Sequence, residues 1–151
     1  MPTRREMLNA AAAFAGVSLF NLRLASAATQ LEDAIREKTG GAPLEKGRIT
    51  LGIPQVAENG LSVFTTVEVD SPMTQADHVK AIHIFTERNP QPYVVTVHLG
   101  PRAGKARIAT RARIGDSGDV TAIAQMSDGS FWSDSVRVIV TLSACLEEGL
   151  I

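Results

Sequence analysis

The 151-residue chain contains one cysteine, three histidines, one tryptophan and one tyrosine, and aromatics make up only 5% of it. A single cysteine excludes an internal disulfide, so packing alone must hold the fold together. So few aromatics provide no stacking platform for single-stranded nucleic acid. A formal net charge of −1 leaves no basic footprint for a duplex. No G-x-S-x-G, H-E-x-x-H or glycine-rich phosphate loop occurs, and no catalytic residue of a stand-alone active site stands out.

The shortage of histidine also weighs against a metal centre. A blue-copper site takes two histidines and one cysteine, usually with a weak methionine ligand. Here no histidine follows Cys145 and none lies within the 45 residues before it. An iron site of the superoxide-reductase kind needs four histidines and a cysteine, and the chain has three histidines. No metal ligand and no cofactor is therefore expected. His83 lies between Ile82 and Ile84, and His98 between Val97 and Leu99. Strand alternation sets both opposite their apolar neighbours, as surface or interface residues.

Hydrophobic residues still reach 44%, enough for a packed core, and the length suits one domain. Residues 1–27 read as a leader. TRREML (Thr3 to Leu8) has paired arginines followed by apolar residues, and Ala10 to Leu22 is apolar but short for a bilayer span. Ala25-Ser26-Ala27 then forms a small-residue cleavage site before Ala28. This order is close to a twin-arginine export signal, implying a periplasmic protein without stable membrane association. An amphipathic helix or anchor is the alternative. Without the leader the chain has 12 basic and 15 acidic residues, a mildly acidic balance that selects no partner.

Thr29 to Gly41 (TQLEDAIREKTGG) predicts a short helix. Thr29 and Glu32 have capping-box spacing, Leu31 and Ile35 form a small apolar face, and two glycines supply the stop. From residue 48 the pattern has period two. Ile49, Leu51 and Ile53 alternate with polar or small residues, as do Leu61, Val63, Thr65, Val67 and Val69. Ala106 to Ile114 sets Arg107, Arg111 and Arg113 opposite an apolar or small face, and further strands are expected over 79–86, 93–99, 119–126 and 136–142. Turn signals such as Glu58-Asn59-Gly60 and Ser127-Asp128-Gly129 separate them. About seven short strands with no helices between them predict an all-β fold, an immunoglobulin-like antiparallel β-sandwich over 28–142. A short helix precedes it and a C-terminal arm over 143–151 follows. The three arginines read as a solvated face or edge, with an anionic partner as the alternative.

Cys145 falls three residues beyond Leu142, the last residue of the periodic pattern. Three extended residues span roughly 10 Å. In an oxidising compartment cysteines usually occur in pairs, so a lone one is buried, bonded to another molecule or chemically employed. A thiol on a short arm can enter another protein's active site while its domain stays outside. Thiolates attack sulfur centres, so covalent carriage of a sulfur group fits. The bland alternative is a cysteine without a role, or one tucked against the body.

Several blocks resemble the SoxY family of sulfur carriers. They are IPQVAENG (Ile53 to Gly60), VDSPM (Val69 to Met73), VKAIHIF (Val79 to Phe85), ERNP (Glu87 to Pro90), LGPRAG (Leu99 to Gly104) and MSDGSFW (Met126 to Trp132), in order over about 30–142. The resemblance implies a sandwich paired with a second sandwich subunit, SoxZ, which carries substrate covalently on one arm cysteine. Separate periplasmic enzymes load, hydrolyse and oxidise the cargo, and the carrier itself performs no catalysis. Cys145 takes the place of that cysteine, with a sulfur adduct in place of any cofactor.

The arm departs from the family's G-G-C-G-G ending and is closer to a subgroup reading A-A-C-I-E. Ser143, Ala144, Leu146 and Glu147 flank the thiol. Side chains in place of glycines narrow backbone freedom and add bulk that a partner's tunnel must admit. Glu147 and Glu148 disfavour the thiolate and repel anionic thiosulfate. Leu146, Leu150 and Ile151 could dock on an apolar partner surface. A sandwich that keeps its partner interface without carrying sulfur is the competing function.

Overall fold

The computed structural model describes residues 29–142, so the expected leader over 1–27 and arm over 143–151 lie outside the described residues. A helix over 29–39 (α1) precedes the strands β1 (Leu44–Glu45), β2 (Ile49–Gly52), β3 (Val56–Asn59), β4 (Val63–Val69), β5 (Val79–Thr86) and β6 (Tyr93–His98). A 3-10 turn, Pro101–Ala103, leads to β7 (Arg107–Ala112), β8 (Gly118–Met126) and β9 (Phe131–Leu142). One sheet has the order β2-β4-β7. The other runs β1-β9-β8-β5-β6, with β3 added alongside β9.

The fold is the immunoglobulin-like sandwich that the alternation predicts, but it has nine strands where about seven were expected. β1 and β3 are short additions that pair with β9 in parallel, at its start and at its end. Their side chains are almost all exposed, so neither carries a core-facing alternation. β9 begins at Phe131 rather than at 136. Its first half pairs with β8 through Ser133, Asp134 and Ser135, which give no apolar signal.

The core fills the space between the sheets. Ile49, Leu51, Val67 and Val69 from the smaller sheet meet Ile82, Ile84, Val120, Ala122, Ala124 and Val138 from the larger. Burying each large aliphatic side chain here stabilises the fold by about 1.5–3 kcal/mol. A second apolar layer lies on the outer face of the larger sheet. There α1 lays Leu31, Ala34 and Ile35 over Phe85, Ile123 and Phe131. The helix stops where Gly40 (φ 65°) donates its N–H to the Arg36 carbonyl at 2.8 Å, a left-handed conformation without cost for glycine.

This second layer corrects the expectation for His83. Alternation does turn it away from Ile82 and Ile84, but α1 closes that face, and His83 is buried rather than at the surface. His98, at the edge of the same face, is exposed as expected. His83 Nδ1 lies 2.6 Å from Thr96 Oγ1, and Nε2 meets no hydrogen-bond partner among the described residues. Burial first, then the nearby Lys38 and His98 charges, hold the imidazole below the usual value of 6.5. The unfolded chain therefore takes up the His83 proton before the folded protein does. The stability contributed by neutral His83 is complete above about 6.5 and is lost as pH falls through the lowered folded value. The thermal midpoint is expected to fall on acidification just below that pH, and His83→Gln to flatten this part of the profile. Superimposable profiles for the two proteins would contradict the assignment.

Candidate functional site: the root of the cysteine arm

β9 is held to its last residue. Ile139 donates its N–H to the Gln55 carbonyl at 2.8 Å, and Val140 donates to Ser117 Oγ at 2.9 Å. Thr141 Oγ1 donates to the Glu58 carbonyl at 3.1 Å, and the Leu142 carbonyl accepts the Gly60 N–H at 3.2 Å. Gly60 in turn accepts the Ile114 N–H at 2.7 Å, joining the end of β9 to the segment that follows β7. The backbone is thus fixed up to Leu142, three residues before the thiol. Cys145 and its neighbours Ser143, Ala144, Leu146 and Glu147 lie outside the described residues. The fold therefore positions the arm's root.

The residues that build this root are ones the sequence marks only as turn signals. Asn59 Oδ1 accepts the Leu61 N–H at 2.8 Å, shaping the turn that carries Gly60. Asn89, from the ERNP block, donates to the Arg113 carbonyl at 3.0 Å and accepts the Gly115 N–H at 2.6 Å, pinning the loop after β7. A glycine or asparagine at a turn predicts the turn, not what the turn will touch. The MSDGSFW block is structural in the same sense, since it closes the β8–β9 hairpin. Asp128 accepts from Ser130 Oγ at 2.7 Å and from its N–H at 2.9 Å, and these bonds hold the carboxylate below its usual range.

The other sequence candidates stand apart from the root or on its rim. β7 is an edge strand, and its arginines sit as the solvated edge predicts. Arg107 lies 3.8 Å from Glu68 with both side chains exposed, and Arg111 donates to the Ser62 carbonyl at 3.4 Å. Among the described residues no group of three or more His, Cys, Asp or Glu side chains gathers where a metal could sit. An open groove of about 410 Å³, lined by Arg48, Glu68, Asp70, Lys105 and Arg107, lies at the far end of the smaller sheet. β4 carries the chain from the arm end, at Val63, to this groove, at Val69. Seven strand residues span roughly 20 Å. Three extended residues beyond Leu142 span at most roughly 10 Å, short of this groove.

The model of the family described as sulfur oxidation protein SoxY matches residues 35–145. The structure of the sulfur carrier protein SoxY from Chlorobium limicola f thiosulfatophilum is similar with a TM-score of 0.63 and 30% identity, covering 76% of this chain and 99% of that one. Superoxide reductases share the fold alone. The Ignicoccus hospitalis enzyme (neelaredoxin) has a TM-score of 0.54 and 16% identity, covering 62% of this chain and 80% of that one. The Nanoarchaeum equitans enzyme has a TM-score of 0.54 and 12% identity, covering 64% and 100%. No curated protein matches. With a family match that takes in the whole sandwich and runs on through the arm root as far as the cysteine, this chain belongs to the SoxY family.

Proposed function

We propose that this protein is a periplasmic covalent sulfur carrier. Cys145 holds a thiosulfate-derived or related sulfane group and presents it to the enzymes of sulfur oxidation. One observation carries the reading: the family match extends to residue 145, where the chain has its only cysteine. The anchored root supports it, because a short arm on a fixed base delivers its thiol to a defined distance. The protein is a non-catalytic subunit, paired with a SoxZ-like sandwich and exported by the twin-arginine route.

Exchange with a persulfide donor needs only the thiolate on this chain. When it attacks the outer sulfur of a donor persulfide, the donor's S–S bond breaks, a new S–S bond forms on Cys145 and the donor leaves as a thiolate. Electrons balance in that exchange. Attaching thiosulfate itself removes two electrons and one proton from the thiol and thiosulfate together, which calls for a partner oxidoreductase. Intact-mass measurement on protein isolated from cells grown on thiosulfate is expected to find sulfur or thiosulfate added at Cys145. A free thiol under every reduced-sulfur condition would remove the carrier reading.

A further inference from the structure

Asn59, the last residue of β3, is followed by Gly60, and this pair is chemically labile. A glycine after asparagine leaves the next backbone nitrogen without a side chain to shield it, so that nitrogen can attack the asparagine carboxamide. A C–N bond forms at Asn59 Cγ, the Gly60 amide proton passes to the departing nitrogen, and ammonia leaves a cyclic succinimide. Water then opens the ring to aspartate or isoaspartate, with no oxidant or reductant involved. The chain has one Asn-Gly pair. The other asparagine among the described residues, Asn89, precedes Pro90, whose nitrogen carries no hydrogen to give up.

The fold prepares one half of this reaction and restrains the other. Leu61 donates its N–H to Asn59 Oδ1 at 2.8 Å, onto the oxygen that becomes negative as Cγ is attacked. A fixed backbone donor at that oxygen stabilises the developing charge. Asn59 is exposed, so ammonia can leave and water can enter. The nucleophile, in contrast, is shut in. Gly60 is buried, its N–H is donated to the Leu142 carbonyl at 3.2 Å, and its carbonyl accepts the Ile114 N–H at 2.7 Å. Asn59 is itself the register partner of Leu142 in the β3–β9 pairing. The Gly60 nitrogen must lose its proton to solvent before it attacks, and that requires this end of β9 to open. We infer that Asn59 is a deamidation site, activated by Leu61 and held in check by the Gly60–Leu142 hydrogen bond. Its isoaspartyl product has an extra backbone methylene just where β3 meets Leu142. That displaces Gly60 from its two bonds, adds a negative charge and loosens the end of β9 irreversibly. The inference is independent of what Cys145 carries.

The test incubates the full chain at neutral pH, in native buffer and in denaturing urea, and follows residue 59 by peptide mapping. Ser117→Ala removes the bond that anchors Val140, and Thr141→Val removes the one to the Glu58 carbonyl. Urea below the unfolding midpoint opens the same strand end in wild type, independently of either variant. Hydrogen exchange at the Gly60 amide is measured on the same samples, because it needs the same opening and the same proton loss. Folded wild type is expected to convert Asn59 at least about tenfold more slowly than the unfolded chain, the protection of a hydrogen-bonded strand end. The variants and mild urea are expected to raise conversion and Gly60 exchange in parallel, by about threefold for one lost hydrogen bond. The isolated isoaspartyl form is expected to exchange faster at Ile139 and Val140, with β5 unchanged. Equal conversion in native buffer and denaturing urea overturns the restraint. Faster Gly60 exchange without faster conversion overturns the role of the Leu142 bond. Conversion seen only in denaturing urea, and in no folded sample, overturns the site itself. An isoaspartyl form with unaltered exchange at the end of β9 overturns the loosening.

Discussion

Cys145→Ser is expected to abolish the sulfur adduct and growth on reduced sulfur together, while the variant still folds and still binds the sandwich partner proposed above. The loss is total rather than partial because the sequence holds no second cysteine to take over. A serine hydroxyl is a poor nucleophile at neutral pH and forms no S–S bond, so neither persulfide exchange nor thiosulfate attachment has a substitute path. The fold is spared because the substituted atom lies beyond β9, and the hydrogen bonds that fix the root are made among the described residues up to Leu142. Two measurements decide the result: intact mass of the variant from thiosulfate-grown cells, and the growth rate of the strain that carries it. The rival, a binding module without carriage, expects the opposite outcome. In that case partner binding persists and growth is unchanged.

The residues around the thiol sharpen the same prediction. Leu146 and Glu147 stand where the family's pattern has glycines, and Glu148 adds a second carboxylate. On the carrier reading, side chains in place of glycines would add bulk that a partner's channel must admit, and carboxylates near the thiol would repel an anionic donor. Uncharged or protein-bound sulfane donors escape the second penalty. On the carrier reading proposed above, these residue types would favour a persulfide donor over free thiosulfate, and an enzyme channel wider than one built for glycine.

Much of the fold is legible in the sequence, and the illegible parts have physical reasons. β5 coincides with the strand expected over 79–86, since Val79, Ile82 and Ile84 face a core on one side. The other side of that strand misleads. A strand covered on both faces loses its alternation, and His83 then looks like the polar side of a half-buried strand. Only the docking of α1 decides between these, and α1 signals its apolar face through Leu31 and Ile35 without naming the sheet it covers. β1 and β3 escape because short parallel additions at an edge bury almost nothing. For the site, the sequence places the thiol three residues past the sheet but is silent on its anchorage. The hydrogen bonds of Gly60, Ser117 and Asn89 join segments far apart in the chain, and no local pattern encodes such pairs.

Gly60→Ala carries the second large effect, because this glycine is in close contact on both sides. A Cβ at residue 60 would overlap the Ile114 carbonyl oxygen and press within 3.0 Å of Val140 Cγ1. Ile114 is fully buried, and Val140 is fixed through Ser117, so neither can simply turn aside. Relief requires the segment after β7 or the end of β9 to move. Either shift strains the Ile114-to-Gly60 or the Gly60-to-Leu142 hydrogen bond. Overpacking a close-packed site costs about 1–3 kcal/mol, and a weakened buried hydrogen bond adds about 1 kcal/mol. The sum of about 2–4 kcal/mol corresponds to a drop of roughly 10 °C in thermal midpoint for a domain of this size. Gly100→Ala is the matched control. No atom lies within 4 Å of a Cβ there, and its φ of −150° is extended backbone open to any residue, so its midpoint stays near wild type. The damage should also be local. Hydrogen exchange at Ile139, Val140 and Leu142 is expected to speed up more than exchange in β5, because the lost bonds belong to the arm root. Should Gly60→Ala melt like Gly100→Ala, with unaltered exchange at the end of β9, the claim that Gly60 clamps the arm root fails.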